Sequence, residues 1–108
     1  KAGFSGARTT ADFCLEIKDP FEMPTTLHVY PVPYRRALNF GISPWNLRGW
    51  LPMAIQAFDI FSKRGGVFHL WGHSWEIEKF GLWNNLESFF KHVTSRKNIT
   101  YVSNGDLV

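Results

Sequence analysis

Val67-Phe68-His69-Leu70-Trp71-Gly72-His73-Ser74-Trp75-Glu76 is the stretch on which the reading of this chain turns. Its first five residues form a near-continuous apolar run, the pattern of a strand buried on both faces. Gly72 breaks the run. The residues after it carry a histidine, a tryptophan and a carboxylate to the end of a sheet. An imidazole there reaches a substrate and titrates near neutral pH, which suits general acid or base work. The stretch defines a place for chemistry without defining a reaction.

Upstream, Leu51, Ala54, Ile55, Phe58 and Phe61 share one face at helical spacing. Pro52 is tolerated only in a first turn. Lys63-Arg64-Gly65-Gly66 ends the helix with cations at the carbonyl end and glycine at the cap. The predicted helix spans 50–63. Ser43-Pro44 is a second start signal, a capping hydroxyl followed by a preset φ. Pro31, Pro33 and Pro44 predict an irregular connection over 31–46. Leu27-His28-Val29-Tyr30 is aromatic and β-branched between Thr25-Thr26 and Pro31, and predicts a strand. A short strand is also expected around Phe13–Ile17. Residues 1–10 form a glycine-punctuated loop bearing Arg8. It is not a phosphate cradle, because no Gly-Lys-Ser/Thr follows.

Downstream, residues 72–79 are expected to form a loop. Leu82, Leu86, Phe89, Phe90 and Val93 then mark a helix over 82–95. Ile99-Thr100-Tyr101-Val102 predicts a strand. Ser103-Asn104-Gly105-Asp106 predicts a turn into a further helix capped by Ser103 or Asn104. The order strand, helix, strand, helix, strand gives two βαβ units and a parallel sheet, an α/β fold in one domain over 1–108. Ligands of such sheets bind beyond the carboxyl ends of the strands, where the Gly72–Glu76 and Pro31–Tyr34 loops lie.

Composition narrows the function classes. Hydrophobic residues make up 44% of the 108, which argues against disorder. Five Trp and ten Phe imply a heavy core, sugar-stacking surfaces, or both. The net charge is +3, but the basic pairs Arg35-Arg36, Lys63-Arg64 and Arg96-Lys97 are scattered and make no nucleic-acid stripe. Cys14 is alone, so no disulfide forms within the chain. No apolar run reaches the roughly 18 residues of a membrane span. No signal peptide is visible, and the start on Lys1 fits a processed or truncated chain, which leaves the compartment open between cytoplasm and cell envelope. Asn98-Ile99-Thr100 matches a glycosylation sequon.

Within the opening stretch the roles divide. His69, in mid-strand, is expected to be a packed core histidine, and His73, after Gly72, the reactive one. The spacing of four between them suits zinc only on a helix, and here it falls on a strand and loop. Glu76 is placed either to orient an imidazole or to cap the next turn. Trp71 and Trp75 flank His73 as candidate walls for an apolar sugar face. Ser74 has no nucleophile-elbow context, and Cys14 no mark of a reactive thiol.

Gly66 to Val108 resembles the C-terminal part of the polysaccharide deacetylase (NodB-homology) family. The resemblance is carried by Gly-Gly-Val-Phe-His-Leu-Trp-Gly-His-Ser-Trp-Glu, by Asn84-Asn85-Leu86 and by Tyr101-Val102-Ser103-Asn104-Gly105-Asp106. Gly3-Phe4 with Ala7-Arg8-Thr9-Thr10 is similar to the family's arginine motif. The resemblance implies a partial (β/α) barrel and metal-dependent hydrolysis of acetyl amide or ester groups on a glycan. It makes His73 the proton donor to the leaving group and Arg8 the residue orienting a catalytic aspartate. Trp71, Trp75 and Glu76 would then contact the glycan.

A divalent metal such as zinc is expected of the complete family domain, but the chain lacks Thr-Phe-Asp-Asp, and it has no His-x-x-x-His ahead of Arg8, where the family order puts its metal motif. Thr9-Thr10 stand where the family has proline, and no Asp-x-x-Asp-Trp occurs in 26–46. The expectation is therefore a C-terminal half, inactive alone, completed by a preceding half or by homo-oligomerisation. The alternative is a non-catalytic carbohydrate-binding or interaction module built on the Trp-rich loop.

Overall fold

The structure is a computed structural model that describes residues 3–31 and 34–107. It is mixed α/β and mostly helical. Strand β1 (Leu27–His28) is followed by helix α1 (Tyr34–Phe40), a 3-10 turn (Pro44–Arg48) and helix α2 (Trp50–Arg64). Strand β2 (Leu70–Trp71), helices α3 (Ser74–Lys79) and α4 (Trp83–Thr94) and a 3-10 turn (Asn104–Leu107) complete the chain. The two strands pair in parallel, Leu27 with Leu70 and His28 with Trp71. They are joined through α1 and α2, the crossover that parallel strands require.

Helix α2 is the centre of the core. Met53, Ala54 and Ala57 are wholly buried, and the small side chains of Ala54 and Ala57 let neighbouring elements approach α2 closely, with α4 and the 3-10 turn packed against it. Phe89 of α4 is buried where three rings meet, with centroids 5.7 Å from Trp50, 6.0 Å from Phe58 and 6.0 Å from Phe68. Outside this ring cluster, Asp59 of α2 takes His92 Nε2 at 3.0 Å and also Arg96 of the segment after α4.

Helix α2 ends where the glycines were expected to stop it. The Gly65 N–H donates to Phe61 O at 2.8 Å, and Gly65 and Gly66 have φ of 79° and 102°. Ser43 precedes the 3-10 turn, as its sequence suggests, but its hydroxyl accepts from Gln56 Nε2 at 3.0 Å instead of capping the turn.

Four expectations are corrected. Residues 31–46 are not wholly irregular, since α1 begins directly after Pro33. A proline ahead of a first turn is compatible with a helix and need not break one. Val32 and Pro33 of the expected Pro31–Tyr34 loop lie outside the described residues.

Residues 13–17 form no strand. Phe13 has a φ of 53°, which turns the chain even though its N–H donates to Thr26 O at 2.8 Å and that of Cys14 to Thr25 O at 3.2 Å. Residues 99–102 also form no strand. Tyr101 instead donates its hydroxyl to Val93 O at 3.3 Å, and the segment lies along α4.

The run Val67–Trp71 is half-buried, with only its last two residues paired as strand. Phe68 and Leu70, on the Leu27 side of the strand pair, border an apolar cavity of about 480 Å³, with Phe89, Val93 and Tyr101 among its other walls.

Candidate functional site

Strand alternation builds the site. Side chains two apart on a strand share a face, so His28 and Tyr30 leave β1 on the same side, opposite to Leu27 and Val29. Leu27 and Val29 are buried in the core. The register sets Trp71 beside His28, and directly paired residues bring their rings together. The two rings stack with centroids 3.9 Å apart and planes 9° from parallel. Tyr30 covers His28 at 5.1 Å and 16°. Phe80, after α3, closes on Tyr30 edge to face at 5.1 Å.

The residues after Gly72 are a helix and not the expected loop. His73 occupies the N-cap of α3, and its carbonyl accepts from the N–H groups of Glu76 and Ile77, each at 3.0 Å. Glu76 falls in the first turn, where the helix dipole favours an acid. The helix closes on Gly81, with φ of 63°. The Leu82 N–H donates to Ile77 O at 2.9 Å and that of Gly81 to Glu78 O at 3.3 Å, a Schellman closure with Ile77 and Leu82 buried beneath it. The short, closed helix fixes where its first turn points.

That first turn divides the predicted residues. His73 and Trp75 are exposed, Trp75 by 63%, and stack with centroids 6.1 Å apart and planes 23° from parallel. Glu76 is only 7% exposed and points inward. Its Oε1 lies 3.0 Å from His28 Nε2, so the imidazole it orients belongs to His28 and not to His73. His73 sits edge-on to both Trp71, at 5.5 Å, and His28, at 6.2 Å. Trp71 is half-buried, with one face against His28, and its Nε1 finds no hydrogen-bond partner among the described residues. Trp75 is thus the open wall and Trp71 the supporting one.

Arg8 belongs to another part of the molecule. It bridges Met23 upstream of β1, donates to Pro24 O at 2.6 Å and to Asn104 Oδ1 at 2.7 Å, and has its Nε buried without a partner among the described residues. Burial lowers its pKa. Its contacts share no side chain with those of His73. They do reach His69, a half-buried histidine whose imidazole is pushed below its ordinary value first by burial and then by the Arg8 cation.

His28 was read only as part of a strand. The signal for its role was the alternation in Leu27-His28-Val29-Tyr30, which exposes the histidine and tyrosine together. Among the described residues, no three His, Cys, Asp or Glu side chains gather into a group able to hold a metal ion. The zinc implied by the resemblance has no ligand set in these residues. No helix is long and apolar enough to cross a membrane among the described residues. Comparison with family models, curated proteins and solved structures gives no significant match to this chain.

Proposed function

We propose that the edge formed by Trp75 and His73 binds a glycan and brings an imidazole to a sugar acetyl group, as the C-terminal part of a metal-dependent polysaccharide deacetylase with a partial (β/α) barrel. The observation that carries this reading is the exposed Trp75 ring, stacked on His73 just beyond the carboxyl end of β2. Indole faces suit the apolar faces of sugars, and ligands of parallel sheets bind at this end. In this reading His73 protonates the leaving group. Arg8, whose Nε has no partner among the described residues, orients an aspartate supplied from another segment or another chain. The metal ligands come from the same source, so association with a preceding half or a second copy belongs to the proposal. Exposed Phe90, Tyr101 and Val102 beside the apolar cavity give such a partner a surface.

One observation favours a second reading. Glu76 pairs with His28, and among the described residues no carboxylate pairs with the exposed His73. A non-catalytic carbohydrate-binding module needs none. Calorimetric titration with chitotetraose separates the two. Both readings expect binding that Trp75→Ala weakens about tenfold, equivalent to about 1.4 kcal/mol. Zinc-dependent acetate release on adding the complementing half supports the deacetylase. Chelator-insensitive binding without acetate release supports the module. Absence of binding, or full binding by Trp75→Ala, contradicts both.

A further inference from the structure

We infer that the glycan edge continues from Trp75 along α3 to a second indole platform, Trp83, with Glu78 between the two. The site then takes a chain of several sugar units and not a single or terminal one. The inference rests on the reading of Trp75 and His73 as a glycan-binding edge, which the deacetylase and the binding module share. Trp75 and Glu78 stand three residues apart on α3, the spacing that makes two side chains neighbours on one helix face. Both are exposed, and at 100° per residue they fall on the side opposite the buried Glu76 and Ile77. Glu78 Oε2 in turn accepts from Trp83 Nε1 at 2.6 Å, across the turn that joins α3 to α4.

Trp83 is placed as a platform and not as core. It opens α4 directly after the buried Leu82 and is itself 46% exposed. An indole has one hydrogen to donate, and Glu78 takes it in a short, charge-assisted hydrogen bond. The backbone under the pair is held by the Gly81 closure, whose N–H donates to Glu78 O at 3.3 Å. The ring is therefore oriented before a ligand arrives, which lowers the ordering cost of binding. Among the described residues no other ring stacks on Trp83 and no cation covers it. Glu78 Oε1 has no partner among them either, and is free to accept from a sugar hydroxyl. An open indole face suits the apolar face of a sugar, and a carboxylate beside it suits the hydroxyls at that sugar's rim.

Other exposed rings are placed differently. Phe90 and Tyr101 border the apolar cavity. Phe80 has the Lys79 ammonium over its ring, 5.5 Å from the centroid.

The test is calorimetric titration of the full chain with chitobiose and with chitohexaose. The hexamer is expected to bind about tenfold more tightly than the dimer, equivalent to about 1.4 kcal/mol. Trp83→Ala should remove that gain and leave chitobiose binding as it was, whereas Trp75→Ala should weaken both. Glu78→Ala, which releases the indole, should also lower the affinity for the hexamer. Nitrogen-15 NMR of the unmodified chain gives a readout that needs no variant. Chitohexaose should shift the indole N–H of Trp83 together with that of Trp75, and chitobiose should shift that of Trp75 alone. Full hexamer affinity in Trp83→Ala, or a hexamer complex in which the Trp83 indole is unmoved, overturns the inference and leaves the glycan reading standing. Absence of binding by either ligand overturns the glycan reading and the inference with it.

Discussion

Glu76 is buried and ionisable, and its pairing with His28 governs what happens when it is removed. Glu76→Ala leaves the His28 Nε2–H without its acceptor in a half-buried place, a loss of about 1–3 kcal/mol. Glu87→Ala, which removes only the exposed pair with Lys91 at 3.4 Å, should cost at most about 0.5 kcal/mol. Urea unfolding of the two variants checks the contrast, and equal costs would refute it.

His69 gives a pH dependence with a definite sign. Its folded-state pKa lies below the ordinary 6.5, so on acidification the unfolded chain takes up a proton that the folded chain refuses. Stability is therefore full above about pH 7 and falls as pH drops through 6.5. His69→Gln should flatten this fall, read as the change in urea midpoint between neutral and mildly acidic buffer. The same fall in the variant would refute the assignment. The exposure of His73 after Gly72 was legible from its place in the chain, whereas His69, expected in the core, is only half-buried. The partner of Glu76 was not legible, because that contact spans 48 residues and depends on strand register.

The long helices were legible as elements. Helix α2 was expected over 50–63 and runs Trp50–Arg64, and the α4 helix was expected over 82–95 and runs Trp83–Thr94. Both carry apolar faces long enough to show the helical period. Short elements hide from that period. Helix α3 has six residues, and its closure depends on Gly81 and on burial of Leu82. Gly66 supplies an element-level test. A Cβ there would stand 2.4 Å from Leu15 O at a φ of 102°. Gly66→Ala should cost about 1–3 kcal/mol in strain and displace the strand that follows, as measured by denaturant unfolding. Phe89→Ala, which empties the meeting point of three rings, should cost about 3–5 kcal/mol in the same assay.

For the molecule as a whole, the parallel pairing across a helical crossover follows from the order of elements, while the number of strands does not. The runs at 13–17 and 99–102 have strand composition, but pairing needs a neighbour and a continuous extended backbone, and the left-handed φ at Phe13 denies the latter. A small sheet leaves apolar surface around the cavity bordered by Phe68 and Leu70. Surface of that kind favours association. Sedimentation equilibrium is expected to show a species heavier than one chain, and a monomer at all concentrations would refute this.

The central claim is that a glycan lies across Trp75 and His73 at the carboxyl end of the strand pair. Chitotetraose added to the nitrogen-15-labelled chain tests it most directly. The account predicts shifts concentrated at the Trp75 indole N–H, the His73 imidazole and the first turn of α3, with the indole of Trp45, exposed by 70% elsewhere on the surface, unmoved. Equal shifts at Trp45 and Trp75, or none at either, would contradict it.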